Sequence, residues 1–163
     1  MRKTWKFLHT LAACGVIGAL LGYAVLLAHA PQDTPEAYAA MRQSISALCD
    51  YILFPSLAVV LITGLLAMAA HHPFVEMRWV WLKALMGLGM FEGTLAVIGS
   101  KANAAAAIAA RIADGGAEEG LLAAALAYEW HSLGVLIALA AANVLLGVWR
   151  PGLKARQRSA RTG

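Results

Sequence analysis

Four long apolar runs are the feature that most constrains how this chain can fold. They cover residues 5–28, 47–70, 79–100 and 126–149 of the 163-residue sequence. Each run exceeds the ~20 residues that an α-helix needs to cross ~30 Å of hydrocarbon. Hydrophobic residues make up 61% of the chain and charged residues 13%, a balance that does not supply the polar surface of a soluble domain. The sequence therefore predicts an all-α protein with four membrane helices.

The segments between the runs predict how the helices are connected. Because most of them are short, we expect an up-down-up-down four-helix transmembrane bundle over residues 1–150. The basic tail after it, residues 151–163, is expected to be disordered. Thr34 followed by Pro35 is a typical helix start, and Gly115 with Gly116 is a typical helix stop.

The distribution of Lys and Arg predicts the orientation of the chain in the membrane. With the N-terminus inside, ten of the thirteen cations fall on inner segments and three on outer loops. Positive charges collect on the cytoplasmic side of a membrane protein. We therefore expect a multi-pass protein of the bacterial inner membrane with both termini cytoplasmic. Nucleic-acid binding is not expected, because the basic tail is short and lacks aromatic residues. The inner cations are Arg2, Lys3, Lys6, Arg78, Lys83, Arg150, Lys154, Arg156, Arg158 and Arg161.

Small residues in the first run predict a surface for close helix packing. Cys14, Gly18 and Gly22 recur at every fourth position and so share one helix face. Membrane helices associate through such faces because small side chains let backbones approach. The bilayer is thus the expected environment, and the Gly18/Gly22 seam is a candidate homo-oligomer contact.

The second run combines a helix-shaped pattern with a proline. At 100° per residue, Asp50 and Leu57 fall on the same face of a regular helix. Pro55 lies between them and predicts a local distortion, because its ring removes a backbone donor.

Three polar residues lie at membrane depth in the outer half of the predicted bundle. Glu92 lies within about one turn of the midplane, and Asp50 and His131 lie roughly 9–12 Å outward of it. A charge in hydrocarbon costs several kcal/mol, so such groups face the bundle interior or a wet cavity. Glu92 is then a protonated structural acid, the partner of a cation, or a proton-relay or ligand-binding group. His131 is its nearest partner in depth, followed by Asp50.

Two more polar residues lie at one level on the inner side. His9 either forms a hydrogen bond to a neighbouring helix or ligates a metal or haem through a ring nitrogen. Lys83 is expected to extend its ammonium toward the inner surface. No dedicated metal site is predicted from the spacing of His, Cys and acidic residues.

Three sequence stretches carry a family resemblance over residues 6–90. WKFLHTLAACGVIGALLG contains Lys-x-x-His, MRQSISALCDYILFPSLAVVLITGLLAM contains Arg, Asp, Pro and Thr-Gly in order, and RWVWLKALMGLGM follows. The chain resembles a bacterial group of predicted integral membrane proteins of unknown function. More distantly it resembles the copper-resistance D type membrane domain and the membrane-bound, haem-containing protoporphyrinogen oxidases. The resemblance to the oxidases implies that His9 and Lys83 are haem-binding residues.

Two functions follow as hypotheses. The first is a b-type haem protein with a redox or haem-handling role and haem b as its cofactor. The second is a non-catalytic membrane component without a cofactor, such as a small transporter, an accessory subunit or an oligomer-forming protein. The sequence does not decide whether the chain is an enzyme.

Overall fold

Every regular element in the part of the chain that the structure describes is a helix. This computed structural model describes residues 2–31, 34–70, 77–95, 100–115 and 119–149. The basic tail, residues 151–163, lies outside the described residues. In chain order the elements are α1 (Arg2–Ala28), α2 (Pro35–Leu48), a π-helical turn (Cys49–Leu53), α3 (Phe54–Ala69), α4 (Arg78–Gly93), α5 (Ser100–Ala113) and α6 (Glu119–Trp149).

Three helical stretches within the described residues are long and apolar enough to cross a membrane. They are Thr4–Ala28 with 25 residues, Pro35–Ala69 with 35 and Ala127–Trp149 with 23. The all-helical, membrane-spanning character predicted from the apolar runs is therefore confirmed. The third apolar run contains the 16-residue α4, which is shorter than a typical span. The fourth span stays a prediction.

Four helices pack against each other in a closed ring. Helix α1 contacts α3, α3 contacts α4, α4 contacts α6, and α6 returns to α1. We call this arrangement the helical ring, and its N-terminal end is the end at which α1 begins. Apolar side chains fill the middle of the ring. The buried set is Val16, Ala19, Leu20, Leu27, Ile45, Leu53, Leu57, Met90, Leu133, Leu136 and Ala140, with Tyr23 and Cys49 among them.

The close contact between α1 and α3 depends on Gly15. A Cβ atom built on Gly15 would lie 2.5 Å from Ser56 Oγ and 3.3 Å from Ser56 Cβ. Among the described residues, apart from the neighbouring backbone of α1, no atom lies within 4 Å of a Cβ built on Gly18. A Cβ on Gly22 would make an ordinary 3.5 Å contact with Leu48. The face that the sequence predicts for close packing is therefore only partly used within the chain. Gly15, the residue after Cys14, is instead the small residue that lets α1 and α3 approach each other closely.

Helices α2 and α5 form a second layer at the end of the ring opposite the N-terminal end. Thr34 caps α2 as predicted, because its Oγ1 accepts a hydrogen bond from the Ala37 amide at 3.2 Å. Ser46 on α2 donates a hydrogen bond to Asn103 on α5. Helix α5 ends at Ala113, and Gly115 follows with a φ of 93°, which confirms Gly115 as a helix stop.

A π-helical turn replaces the regular helix ahead of Pro55. The Phe54 amide donates to the Cys49 carbonyl, which is the i to i−5 bond of a π turn. The wider turn rotates the preceding residues relative to α3, so the regular spacing between Asp50 and Leu57 is lost. Leu57 is buried and Asp50 is exposed. The prediction that these two residues share a face is therefore wrong, and the distortion predicted at Pro55 is its cause.

We expect Gly15→Leu to lower the free energy of unfolding by about 1–3 kcal/mol, because the added side chain overpacks the α1–α3 contact. Gly18→Leu is the matched control, since nothing lies near its Cβ position. Thermal unfolding of both variants in detergent measures the difference. Equal stability of the two variants would contradict the assigned role of Gly15.

Candidate functional site

A buried ion pair joins α2 to α6 at the end of the ring opposite the N-terminal end. Arg42 Nη2 donates to Glu129 Oε1 at 2.7 Å, and the Tyr23 hydroxyl of α1 donates to the same carboxylate oxygen. Arg42 is 0% exposed, Tyr23 0% and Glu129 1%. Three helices therefore meet at one carboxylate. We call Tyr23, Arg42, Glu129 and the neighbouring Tyr38 the Arg42 cluster.

Helical spacing explains why Glu129 points into the ring. Along α6 it stands four, seven and eleven residues before three buried apolar residues, Leu133, Leu136 and Ala140. These intervals keep all four side chains on one helix face. Arg42 stands three residues before buried Ile45 on α2 in the same way. Both charges therefore belong to faces that are otherwise apolar.

The Arg42 cluster uses only part of its hydrogen-bonding capacity. In the described residues, Arg42 Nε and Nη1, Glu129 Oε2 and the Tyr38 hydroxyl are buried atoms without a hydrogen-bond partner. Tyr38 stands one helical turn before Arg42 and lies within electrostatic range of both Arg42 and Glu129. A carboxylate and a guanidinium that meet through one oxygen and one nitrogen retain hydrogen-bonding capacity for a further polar partner.

A second polar group lies at the N-terminal end of the ring and contains His9. His9 Nδ1 lies 2.8 Å from Thr63 Oγ1 on α3. The Thr63 hydroxyl donates to the Val59 carbonyl at 2.6 Å, as a helical threonine commonly does. With its proton engaged there, Thr63 Oγ1 accepts from His9 Nδ1–H. In the neutral imidazole Nε2 then carries the free lone pair, which is the form that ligates a metal.

Lys83 and Asn143 tie α4 to α6 beside His9. Lys83 Nζ donates to the Asn143 carbonyl at 3.1 Å, and Asn143 Nδ2 donates to the Lys83 carbonyl at 3.4 Å. A Cβ on Gly147 would lie 2.7 Å from Lys83 Nζ, so this glycine makes space for the ammonium. Lys83 is within electrostatic range of His9. The two residues that the oxidase resemblance implicates therefore lie within electrostatic range of each other. We call His9, Thr63, Lys83 and Asn143 the His9 cluster.

The two clusters lie on opposite sides of an apolar middle. Fourteen residues separate His9 from Tyr23 on α1, and fourteen separate Glu129 from Asn143 on α6. At 1.5 Å per residue both separations are about 21 Å. Buried Val16, Leu20 and Leu136 lie between the two levels. The clusters are therefore separate sites.

Three residues that the sequence predicts as buried polar groups do not lie in the interior of the ring. Glu92, Asp50 and His131 are all exposed. Glu92 stands two residues after buried Met90, which turns it about 200° away from the face that Met90 occupies. His131 Nδ1 contacts the Ala127 carbonyl of its own helix at 2.8 Å. The prediction that Glu92 faces the interior with a hydrogen-bonded partner is therefore wrong.

The sequence patterns did not point to three of the site residues, which are Glu129, Tyr23 and Tyr38. The signal available for Glu129 was its register with the apolar residues that follow it on α6. Its position beside Tyr128 and Trp130 instead resembles the polar end of a span. Arg42 falls outside the predicted second span, because the apolar run that predicts this span begins at residue 47.

Neither cluster has the ligands of a dedicated metal site. In the ranges that the structure describes, no three His, Cys, Asp or Glu side chains come together to hold a metal ion. His9 is the one imidazole of its cluster.

The family model described as "Predicted integral membrane protein (DUF2269)" matches residues 3–151. The chain belongs to the DUF2269 family. The members of this family are predicted integral membrane proteins of unknown role, as the first resemblance indicated. No curated protein and no solved structure matches the chain. The relationships to the copper-resistance D type domain and to the oxidases stay predictions.

We expect Glu129→Gln to lower the free energy of unfolding by about 3–5 kcal/mol, because it leaves the Arg42 cation buried without its counter-charge. Glu92→Gln is the matched control, since Glu92 is exposed, and it should change stability by less than about 0.5 kcal/mol. Unfolding in detergent monitored by circular dichroism measures both. A larger loss of stability in Glu92→Gln than in Glu129→Gln would show that Glu92 is the structural acid.

Proposed function

We propose that this DUF2269 protein is a b-type haem-binding membrane protein with a redox or haem-handling role. The observation that carries the proposal is the hydrogen bond between His9 Nδ1 and Thr63, which leaves His9 Nε2 as the ligating nitrogen. Histidines that ligate metals commonly donate their other ring N–H to a fixed acceptor, which sets the ring orientation. The half-buried His9 meets that condition.

The residues of the His9 cluster fit haem by their chemistry. His9 would ligate the haem iron, and Thr63 would hold the imidazole ring in place. Lys83, whose ammonium is hydrogen-bonded to the Asn143 carbonyl, would supply positive charge near an anionic cofactor. When bound, haem supplies one-electron chemistry, and axial ligand and surrounding charge set its potential.

We also propose that α4 continues to a fourth span and that both termini are cytoplasmic. The alternating directions of the contacting helices support this topology. The His9–Thr63 and Gly15–Ser56 contacts require α1 and α3 to run antiparallel. In this orientation the His9 cluster lies in the inner half of the bacterial inner membrane and the Arg42 cluster in the outer half.

The haem proposal predicts a Soret band and a reducible α-band in the purified protein. His9→Ala should remove both bands, because it removes the axial nitrogen, and His131→Ala should keep them. Thr63→Val should weaken haem binding roughly 10- to 100-fold, as loss of an orienting partner does. Thr63→Ser should restore it. A colourless wild-type preparation after expression with added haem would overturn the proposal, as would full haem content in His9→Ala.

The competing function is a non-catalytic membrane component without a cofactor. The reciprocal hydrogen bonds of Lys83 and Asn143 favour it, because they are a structural tie between α4 and α6. The open face at Gly18 also favours it, since a second copy could pack there. A colourless protein that sediments as an oligomer in detergent would support this function.

The proposed topology predicts the result of reporter fusions. A reporter fused after Gly163 should be active in the cytoplasm, and one inserted beside Pro35 should be active in the periplasm. The positive-inside distribution of Lys and Arg is the physical reason. A periplasmic signal after Gly163 would contradict the fourth span.

A further inference from the structure

The Arg42 cluster contains more unmet hydrogen-bonding capacity than a purely structural ion pair needs. Four buried atoms of the cluster lack a hydrogen-bond partner among the described residues: Arg42 Nε, Arg42 Nη1, the Tyr38 hydroxyl oxygen and Glu129 Oε2. Buried donors and acceptors are stabilised when a partner completes their hydrogen bonds. A further molecule that reaches these atoms is therefore stabilised by hydrogen bonds to them.

The unpaired atoms define the chemistry of that molecule. Arg42 Nε offers one N–H, Arg42 Nη1 offers two, and the Tyr38 hydroxyl offers one O–H. Against these donors stands a single carboxylate oxygen of Glu129 that needs a hydrogen. A complementary guest has several acceptor oxygens and at least one hydroxyl.

We propose that the Arg42 cluster is a binding site for a small hydroxyl-bearing oxoanion, of the kind that bicarbonate and hydrogen phosphate represent. The acceptor oxygens of the guest take hydrogen bonds from Arg42 and Tyr38, and its hydroxyl donates to Glu129 Oε2. The planar guanidinium suits oxoanions because its N–H groups are fixed in direction. This site does not depend on haem at His9.

The charge and burial of the cluster determine how such a guest binds. Arg42 and Glu129 neutralise each other, so the excess of donors, and not a net positive charge, holds the anion. The four unpaired atoms have almost no exposed surface, so a side chain must move for the guest to enter. Tyr38 is the partly exposed member of the cluster.

The experiment measures thermal unfolding of the full chain in detergent against added sodium salts at equal ionic strength. Bicarbonate and hydrogen phosphate are the probes, formate is the planar anion without a hydroxyl, and chloride is the screening control. We expect a saturable rise in Tm with bicarbonate, with hydrogen phosphate, or with both, and none with formate or chloride. A rise with bicarbonate alone identifies a planar guest, and a rise with phosphate alone identifies a tetrahedral one.

Tyr38→Phe tests the site without removing the ion pair. It deletes an unpaired hydroxyl, so the variant should fold with unchanged or higher Tm in chloride while its affinity for the stabilising anion falls about tenfold or more. Tyr51→Phe is the matched control, because Tyr51 is 80% exposed. Equal shifts with all four salts, no shift with any of them, or equal affinity in Tyr38→Phe and wild type would overturn the proposal.

Discussion

The buried pair of Arg42 and Glu129 is the constraint around which the helices are arranged. Two opposite charges with almost no exposed surface must meet, because either one alone in an apolar interior costs several kcal/mol. Their contact fixes where α2 lies against α6, and the Tyr23 hydroxyl brings α1 to the same carboxylate. Apolar packing between membrane helices is weakly directional, since lipid and side chain are alike in polarity. The pair therefore supplies the register that the apolar surfaces do not.

The polar residues fall on two levels about 21 Å apart, with an apolar middle between them. At one level the His9 imidazole is oriented by Thr63, with the Lys83 ammonium in electrostatic range. At the other, an arginine fork and a carboxylate have unpaired atoms. The first arrangement suits a ligated cofactor, and the second suits a small anion. Buried polar groups destabilise a membrane protein, so they are retained mainly where they serve a function. We therefore expect function at both levels.

Much of the fold could be predicted from the sequence because membrane helices are encoded by the length of apolar runs. The Thr34 cap and the Gly115 stop were predictable for the same local reason. The faces of the helices were harder. Asp50 was misplaced because the π turn before Pro55 changes the angular spacing. Glu92 was misplaced because its position in the middle of a run says nothing about which side of α4 it occupies. The one sequence signal for Glu129 is that it shares a helix face with Leu133 and Leu136. Its partner Arg42 lies 87 residues away in sequence, so local patterns do not predict the pair.

Arg42 and Glu129 form one buried pair that organises the helices. A charge-swap cycle tests it most directly, with Arg42→Glu, Glu129→Arg and the double variant compared by unfolding in detergent. The account predicts that each single variant is severely destabilised and that the double variant recovers, with a coupling energy of about 2 kcal/mol or more. Additive effects within about 0.5 kcal/mol would contradict it, because independent residues show no coupling.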